Sequence, residues 1–519
     1  MNGDGSRQRF LVEGSDARWS PMGDRILFMA KDDDDKPQIF VRWMSQYTAV
    51  SQVTRCNGKP VSPVWSPDSK QVVFDAVRVE SELAYRQSKI YRINIADQDV
   101  TQLTLAEGHW STPTVSHDGN KIVYLGFPAS KATYVMNKIY MMDIDGGNPV
   151  LLAAELDRPT TGRQWWSADD KSVFFSARYD GYINVSKVDL RGKVSPVTSG
   201  RQVVRLDSVD SNMSRGVGVL SSFYEPGDVY SFNLSGRAEM TRLTKVNDDL
   251  LTGKTLGETE ELWFEAEDGN KAHGWMIKPP GFDENKMYPL LMEIHGGPFG
   301  MYQGHFNFNY QVFAANGFVV LYTNPRGSTG YGEKFSQAID HAYPSVDYLD
   351  LMAGVDAALD KGYIDEQRLY VGGCSGGGVL TSWVIGYTDR FAAASVRCPV
   401  SNWVSFLGQT DIPNFALSFF EKPFWEDPSD WLHHSPIMYV GNVKTPTLVM
   451  TGEQDLRTPM AQSEEYYAAL QIAGVSSRLL RFNDQYHGTG THPSNAMRTM
   501  LYLMSWYNDH DINGKIEKQ

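Results

Sequence analysis

At 519 residues the chain has room for about three ordinary domains, or two large ones. Its 48 Lys and Arg against 62 Asp and Glu leave a formal net charge of −14, a surface that repels phosphate backbones and excludes bulk nucleic-acid binding. With 41 % apolar and 21 % charged residues it is too apolar for a disordered chain, and no apolar run approaches the roughly 18 residues of a membrane-spanning helix.

The first half repeats. Ala17-Arg18-Trp19-Ser20-Pro21, Pro63-Val64-Trp65-Ser66-Pro67-Asp68, Pro113-Thr114-Val115-Ser116-His117-Asp118 and Gln164-Trp165-Trp166-Ser167-Ala168-Asp169 are four copies of one segment. Their spacings from Trp19 to Trp65 to Val115 to Trp166 are 46, 50 and 51. Each copy leads through turn residues into a β-branched and aromatic run: Ile26–Phe28, Val72–Phe74, Ile122–Tyr124 and Val173–Phe175. A second strand signal follows, as at Lys89-Ile90-Tyr91 and Lys138-Ile139-Tyr140, and a third, as at Thr101-Gln102-Leu103-Thr104. Short strands at this period predict blades of four antiparallel strands, because a lone blade cannot bury both faces and must stack on neighbours. About five blade equivalents fit into residues 1–255; a β-sandwich array is the alternative. The run Lys31-Asp32-Asp33-Asp34-Asp35-Lys36 lies between two strand signals and predicts a solvated hairpin tip.

Residues 256–519 change character. A hairpin is predicted around Asp268-Gly269. Buried-strand runs follow at Leu290–Ile294, Phe318–Tyr322, Leu369–Val371, Ala392–Val396 and Thr447–Thr451, with helical spacing in Asp350–Lys361, Ser463–Leu470 and Asn495–Trp506. Near-continuous apolar strands alternating with helices predict a mostly parallel sheet covered on both faces, with its chemistry in the loops at the carboxyl ends of the strands.

Those loops carry a constellation. Gly373-Cys374-Ser375-Gly376-Gly377 follows a strand and precedes a helix, the setting of a nucleophile elbow. The motif is weak alone, and the order of its partners strengthens it. Thr447–Thr451 runs into Gly452-Glu453-Gln454-Asp455-Leu456-Arg457, where Asp455 is preferred over Glu453 as the acid. Ser477–Phe482 runs into Asn483-Asp484-Gln485-Tyr486-His487, which places His487 as the base, ahead of His492. The order Ser375, Asp455, His487 is that of α/β-hydrolases. An oxyanion hole needs two backbone donors: the N–H of Gly376, and one from His295-Gly296-Gly297-Pro298, with Gly297 preferred over Gly296.

With Asn324-Pro325-Arg326-Gly327-Ser328-Thr329-Gly330-Tyr331-Gly332, the His295–Pro298 loop, the elbow and Asp455-x-Arg457, the chain resembles the prolyl oligopeptidase family of serine peptidases, nearest its acylaminoacyl-peptidase and dipeptidyl-peptidase-like branch. The resemblance implies a β-propeller joined to an α/β-hydrolase domain, with Ser375, Asp455 and His487 as triad. It implies that Arg457 binds substrate in the cleft, an ion pair with a nearby acid being its alternative. It also implies that Val400, Trp403 and Phe406 wall an apolar S1 pocket, with ordinary core as the alternative. Two departures stand out. Cys374 replaces the usual Ser or aromatic residue and is read as a packing thiol. Gly376 replaces a frequent Tyr, which keeps the backbone donor and removes a pocket wall.

The expected function is hydrolysis of short peptides through an acyl-enzyme, dipeptidyl- or acylaminoacyl-peptidase-like, without metal or organic cofactor. An esterase on the same fold and a non-catalytic propeller interaction protein are the alternatives. The expected partner is an oligopeptide substrate, not nucleic acid or membrane, and a homo-oligomer is compatible with the sequence. Three cysteines cannot form a disulfide framework and lack zinc-ligand spacing. Met1–Gly5 shows no apolar signal region, so a cytoplasmic location is expected. Five blades are few for this family, so either the propeller is a short variant or residues precede Met1; the second case weakens the cytoplasmic reading.

Overall fold

The Ser and Asp of each repeat close the turn between the first and second strands of a four-stranded unit. Ser66 Oγ donates to Asp68 Oδ1 at 2.6 Å and accepts from the Gln71 N–H at 2.9 Å, while the Lys70 N–H donates to the same carboxylate at 3.0 Å. The clamp recurs at Ser116–Asp118 and Ser167–Asp169. This computed structural model describes residues 10–44, 50–56, 58–77, 86–236 and 238–512. Met1–Gly5 lies outside the described residues.

Five such units follow one another, over residues 15–52, 59–102, 108–151, 160–196 and 203–242. In the fifth the first strand is split into Val203–Val204 and Ser208–Val209, both paired with Arg215–Ser222. Apolar clusters glue consecutive units: Leu27 and Ile39 meet Trp65 and Phe74, Val64 meets Ile122, Val123 meets Trp166, and Phe174 meets Phe232. In the second and fourth units the repeat tryptophan fastens the unit to the one before. Trp65 Nε1 donates to the Arg18 carbonyl and Trp166 Nε1 to the Thr114 carbonyl, both at 3.1 Å. No apolar cluster among the described residues joins the fifth unit to the first, and Trp19 is 58 % exposed. The predicted acidic tip is the hairpin between Arg25–Lys31 and Pro37–Trp43, with Asp32 Oδ1 accepting from the N–H groups of Asp34 and Lys36.

The strands of the propeller also carry a regular irregularity. The innermost strand of each of the first four units bulges midway. The bulge residue is left-handed each time: Asp16, Ser62, Thr112 and Gly162, with φ of 50°, 50°, 53° and 73°. A bulge leaves one residue unpaired and turns neighbouring side chains. Here residues at and beside the bulges, Arg18, Ser62, Thr112, Gly162 and Arg163, line one cavity.

The second half is an eight-stranded sheet. Its strands are β1 (Thr259–Glu265), β2 (Lys271–Ile277), β3 (Tyr288–Ile294), β4 (Val319–Asn324), β5 (Ile364–Cys374), β6 (Ala393–Arg397), β7 (Thr447–Gly452) and β8 (Ser477–Phe482). Their order is β1-β2-β4-β3-β5-β6-β7-β8, with β1 and β2 antiparallel and β3 to β8 parallel. Helices α1 (Phe308–Ala315), α2 (Val346–Leu359), α3 (Gly376–Tyr387), α4 (Met460–Ile472) and α5 (Pro493–Asp509) cover its faces. One face packs Leu290, Met292 and Val371 against Val355, Leu380 and Tyr466; the other packs Leu291, Tyr370 and Leu448 against Phe313, Leu503 and Trp506. This is the α/β-hydrolase arrangement, and α1 is the helix that the sequence reading lacked. No helix among the described residues is long and apolar enough to cross a membrane.

The two halves meet through specific contacts. Lys138 Nζ pairs with Glu333 at 2.9 Å, Glu333 N donates to Asp157 at 2.8 Å, and Arg178 donates to Thr329 Oγ1 at 2.7 Å. Thr133, in the loop after strand Lys121–Pro128, donates its N–H to Asp340 at 2.6 Å. Beside it the Tyr134 ring lies 5.0 Å from that of Phe299, in the loop after β3.

Candidate active site

β5 ends at Cys374, and Ser375 turns directly into α3 with φ 61° and ψ −124°. Such a conformation is costly for a residue with a Cβ, and it persists only where the surroundings enforce it. Glycine neighbours enforce it here. A Cβ on Gly377 would lie 2.1 Å from the Ile294 carbonyl oxygen, so α3 seats on the end of β3 only without one. The turn lifts the Ser375 side chain off the sheet at the head of the helix.

Asp455 lies in the loop after β7, buried, with its carboxylate satisfied. Oδ1 accepts from the N–H groups of Arg457 and Thr458, each at 2.9 Å, and Oδ2 accepts from Thr458 Oγ1 at 3.0 Å and faces His487 Nδ1 at 2.9 Å. His487 comes from the loop after β8 and is 34 % exposed. A carboxylate fixed by three donors holds the imidazole in one tautomer and orientation. The competing residues fall elsewhere: Glu453 and His492 are exposed, His492 heads α5, and His434 is buried with Nδ1 against the Pro344 carbonyl. Among the described residues the Ser375 hydroxyl has no hydrogen-bond partner. In free enzymes the nucleophile–base contact is often loose and tightens with substrate.

The N–H groups of Gly376 and Gly297 lie side by side, since a Cβ on Gly376 would stand 2.7 Å from Gly297 N. Neither N–H is bonded to another group among the described residues. Gly376 is therefore where the two candidate oxyanion donors approach closely, and a larger residue would push them apart. His295 braces the Gly297 loop, with Nε2 against Ser328 Oγ and Nδ1 against the Gly296 carbonyl, both at 2.8 Å; burial holds its basicity below that of a free imidazole. The Asn324–Gly332 segment anchors the same loop. Asn324 bonds both backbone groups of Tyr302, and Arg326 pairs with Asp350 at 2.8 Å and Asp268 at 2.6 Å.

Five residues differ from the first reading, four of them in favour of the alternative given for them. Cys374 is not a packing thiol: its sulfur is bonded to Cys398 at 2.03 Å. The two residues are the ends of adjacent parallel strands, a proximity that a separation of 24 does not announce. The Cys398 sulfur, the Asp455 carboxylate and the His487 ring lie within 4.8 Å of one another, but a sulfur committed to a disulfide does not serve as a metal thiolate. Arg457 is 46 % exposed and paired with Asp411, Nε to Oδ1 at 2.8 Å. Val400, Trp403 and Phe406 are buried in one apolar cluster with Phe419 and Phe420, and Trp403 Nε1 donates to the His434 carbonyl at 3.1 Å. Apolar side chains that share a cavity of about 480 Å³ with Gly297 include Phe299, Phe127 and Phe415.

A serine raised on a strained strand-to-helix turn, with an imidazole and its carboxylate delivered by later loops of the same sheet, makes this a serine hydrolase of the α/β-hydrolase fold. The chain belongs to the prolyl oligopeptidase family of serine peptidases. That family's model matches residues 304–511, and a TolB β-propeller model matches residues 1–208. It is 32 % identical to the uncharacterized peptidase YuxL of Bacillus subtilis, over 96 % of this chain and 90 % of that one. It is 27 % identical to dipeptidyl-peptidase 5 of Porphyromonas gingivalis over 85 % of this chain, and 28 % identical to dipeptidyl-peptidase 5 of Schizosaccharomyces pombe over 80 %. The chain spans only 66 % and 61 % of the length of those two relatives. Among solved structures it is similar in fold to Pyrococcus horikoshii acylaminoacyl peptidase, with a TM-score of 0.77 and 22 % identity, over 98 % of this chain and 90 % of that one.

Proposed function

We propose that Ser375, Asp455 and His487 cleave short peptides through an acyl-enzyme, in the manner of a dipeptidyl- or acylaminoacyl-peptidase. The observation that carries the triad is the 2.9 Å contact between His487 Nδ1 and Asp455 Oδ2, with Ser375 on the strained turn at the end of β5 in the same sheet. Ser375 Oγ attacks the scissile carbonyl and gives its proton to His487 Nε2. The developing oxyanion is held by the N–H groups of Gly376 and Gly297. His487 then returns the proton to the leaving amine, and a water repeats the sequence to release the acyl group. No residue outside this set has to supply a proton, and no step calls for a metal or organic cofactor. Phe299, Phe127 and Phe415 are suited to an apolar side chain next to the scissile bond. The propeller over the cleft favours oligopeptides over folded proteins, and peptidase-named relatives favour amide over ester substrates.

A cytoplasmic location and self-association belong to the same reading. The outer face of α5 leaves Met497, Leu501 and Tyr502 exposed, a patch suited to a second copy. In a reducing cytosol the Cys374–Cys398 bond is a reversible one.

A fluorophosphonate probe tests the nucleophile. It is expected to label the wild-type protein and not Ser375→Ala; label retained in Ser375→Ala would remove Ser375 from the role. Peptides with free or acetylated N-termini then separate the dipeptidyl from the acylaminoacyl reading.

A further inference from the structure

The bulged strands of the first four units line a cavity of about 570 Å³, to which the hydrolase domain contributes Phe299 and Thr329. Arg18, Arg163 and Arg178 line it, and no Asp or Glu does. This is an unusual concentration of positive charge in a chain of net charge −14. Arg18 is held by Asp16 at 2.8 Å. Arg178 has only the neutral Thr329 hydroxyl, and Arg163 lies over the Trp165 ring at 4.5 Å; neither has a carboxylate partner among the described residues. The Nε atoms of all three arginines, together with Asn137 Oδ1 and Thr160 Oγ1 of the same wall, are buried without a hydrogen-bond partner among the described residues. Burial and the neighbouring Arg18 charge hold Arg163 down to about 10, the mark of a cation short of a counter-charge. Asp16, engaged by Arg18, is the acid whose charge reaches Arg163. Asp75 accepts from the Thr112 N–H of the same wall; burial raises it to about 7, so it is a weak counter-ion at neutral pH.

The channel leads to the chemistry. It shares Tyr134, Val135, Asn137 and Phe299 with the 480 Å³ cavity whose wall includes the candidate oxyanion donor Gly297. A peptide reacting at Ser375 and extending through that cavity would bring its far end among the arginines. Guanidinium groups suit this role, because their planar donors match a carboxylate two at a time.

We propose that the propeller channel is a carboxylate-binding subsite, in which Arg163 and Arg178 pair with an anionic group of a peptide substrate. The inference rests on the peptidase reading for the direction of the peptide, and on the channel alone for the anion. Two sources of carboxylate fit: the peptide's own C-terminus, or an acidic side chain remote from the scissile bond.

The experiment uses two matched peptide pairs, one differing as C-terminal acid against carboxamide, the other as internal Asp against Asn. Each is measured as kcat/KM on the wild-type protein and as Kd by calorimetry on Ser375→Ala. About a tenfold preference or more for the anionic member of one pair is expected, and that pair names the source. Arg163→Gln and Arg178→Gln, each checked for an unchanged melting temperature, are expected to bring the ratio within about twofold of one. The ratio within one protein is read, so a general loss of activity does not imitate the effect. No preference in either pair by Kd, or a ratio that survives both substitutions, would overturn the subsite. Preference in Kd without any turnover would keep the subsite and sink the peptidase reading instead.

Discussion

Cys374 and Cys398 tie the residue before Ser375 to the residue that follows the neighbouring strand. Their bond lies behind Ser375 on one side and within 4.8 Å of the Asp455 and His487 ligand atoms on the other. It therefore ties the Ser375 turn to the region where Asp455 and His487 meet. A crosslink closing a loop of this size is worth about 3 kcal/mol in the chain-entropy account. In a domain of this size that corresponds to about 5–10 °C in melting temperature. Reductant is expected to lower the melting temperature of the wild-type protein by about that amount. Cys398→Ser is expected to melt low with or without reductant. Equal melting of the wild-type protein in both conditions would show that the bond does not form or does not hold the elbow.

The choice between the two nearby histidines is sharp in the structure. His487 faces the buried carboxylate of Asp455, whereas His492 is exposed at the head of α5. His487→Ala is expected to lower turnover by about three orders of magnitude or more, as removal of a triad base does. His492→Ala is expected to change it by less than about threefold. Steady-state kinetics on one peptide substrate decide it, and the opposite ranking would move the base.

How much of this could be read beforehand follows from how local each signal was. The blade period was plain because Trp65 and Trp166 perform the same local task in each unit, bonding the preceding one, so selection at each copy leaves the same letters. The proposed order Ser375, Asp455, His487 rests on local signals, because each residue lies in the loop after a strand recognisable from its own apolar run. What stayed hidden depends on strands brought together from far apart. Cys374 and Cys398 meet only because β5 and β6 are neighbours, and Arg457 finds Asp411 46 residues away. Val400, Trp403 and Phe406 look the same in sequence whether they wall a pocket or fill a core. Only the packing of short helices at 403–407 and 413–418 puts them in the cluster with Phe419 and Phe420. Arg18, Arg163 and Arg178 share no motif. The bulges that turn them are no more visible, since the left-handed residues Asp16, Ser62, Thr112 and Gly162 are of four different types.

Arg457 separates a structural pair from a substrate contact. Its partner Asp411 is also about two-fifths exposed, and pairs of this kind contribute about 0–1 kcal/mol. Arg457→Ala is accordingly expected to leave the melting temperature within about 2 °C. If the guanidinium swings to the substrate, kcat/KM for extended peptides falls about tenfold, while hydrolysis of a small acetate ester falls far less. Equal losses on both substrates would argue that Arg457 serves only its ion pair.

Asp75 offers a test by pH, away from the catalytic groups. Burial raises its carboxyl from an ordinary 3.8 to about 7, against the help of the Thr112 N–H at 3.0 Å. Between about pH 4 and pH 7 the unfolded chain has released this proton and the folded chain has kept it, so the folded state loses stability as pH rises through that window. Above about 7 the loss is complete, and it is at most about 4 kcal/mol for a shift of this size. Asp75→Asn keeps an oxygen to accept from Thr112 and has no proton to lose. It is expected to melt near the wild-type temperature at pH 4 and several degrees above it at pH 8. Thermal melts of the two proteins across that range check it, and parallel curves with a constant offset would show that Asp75 carries no buried charge.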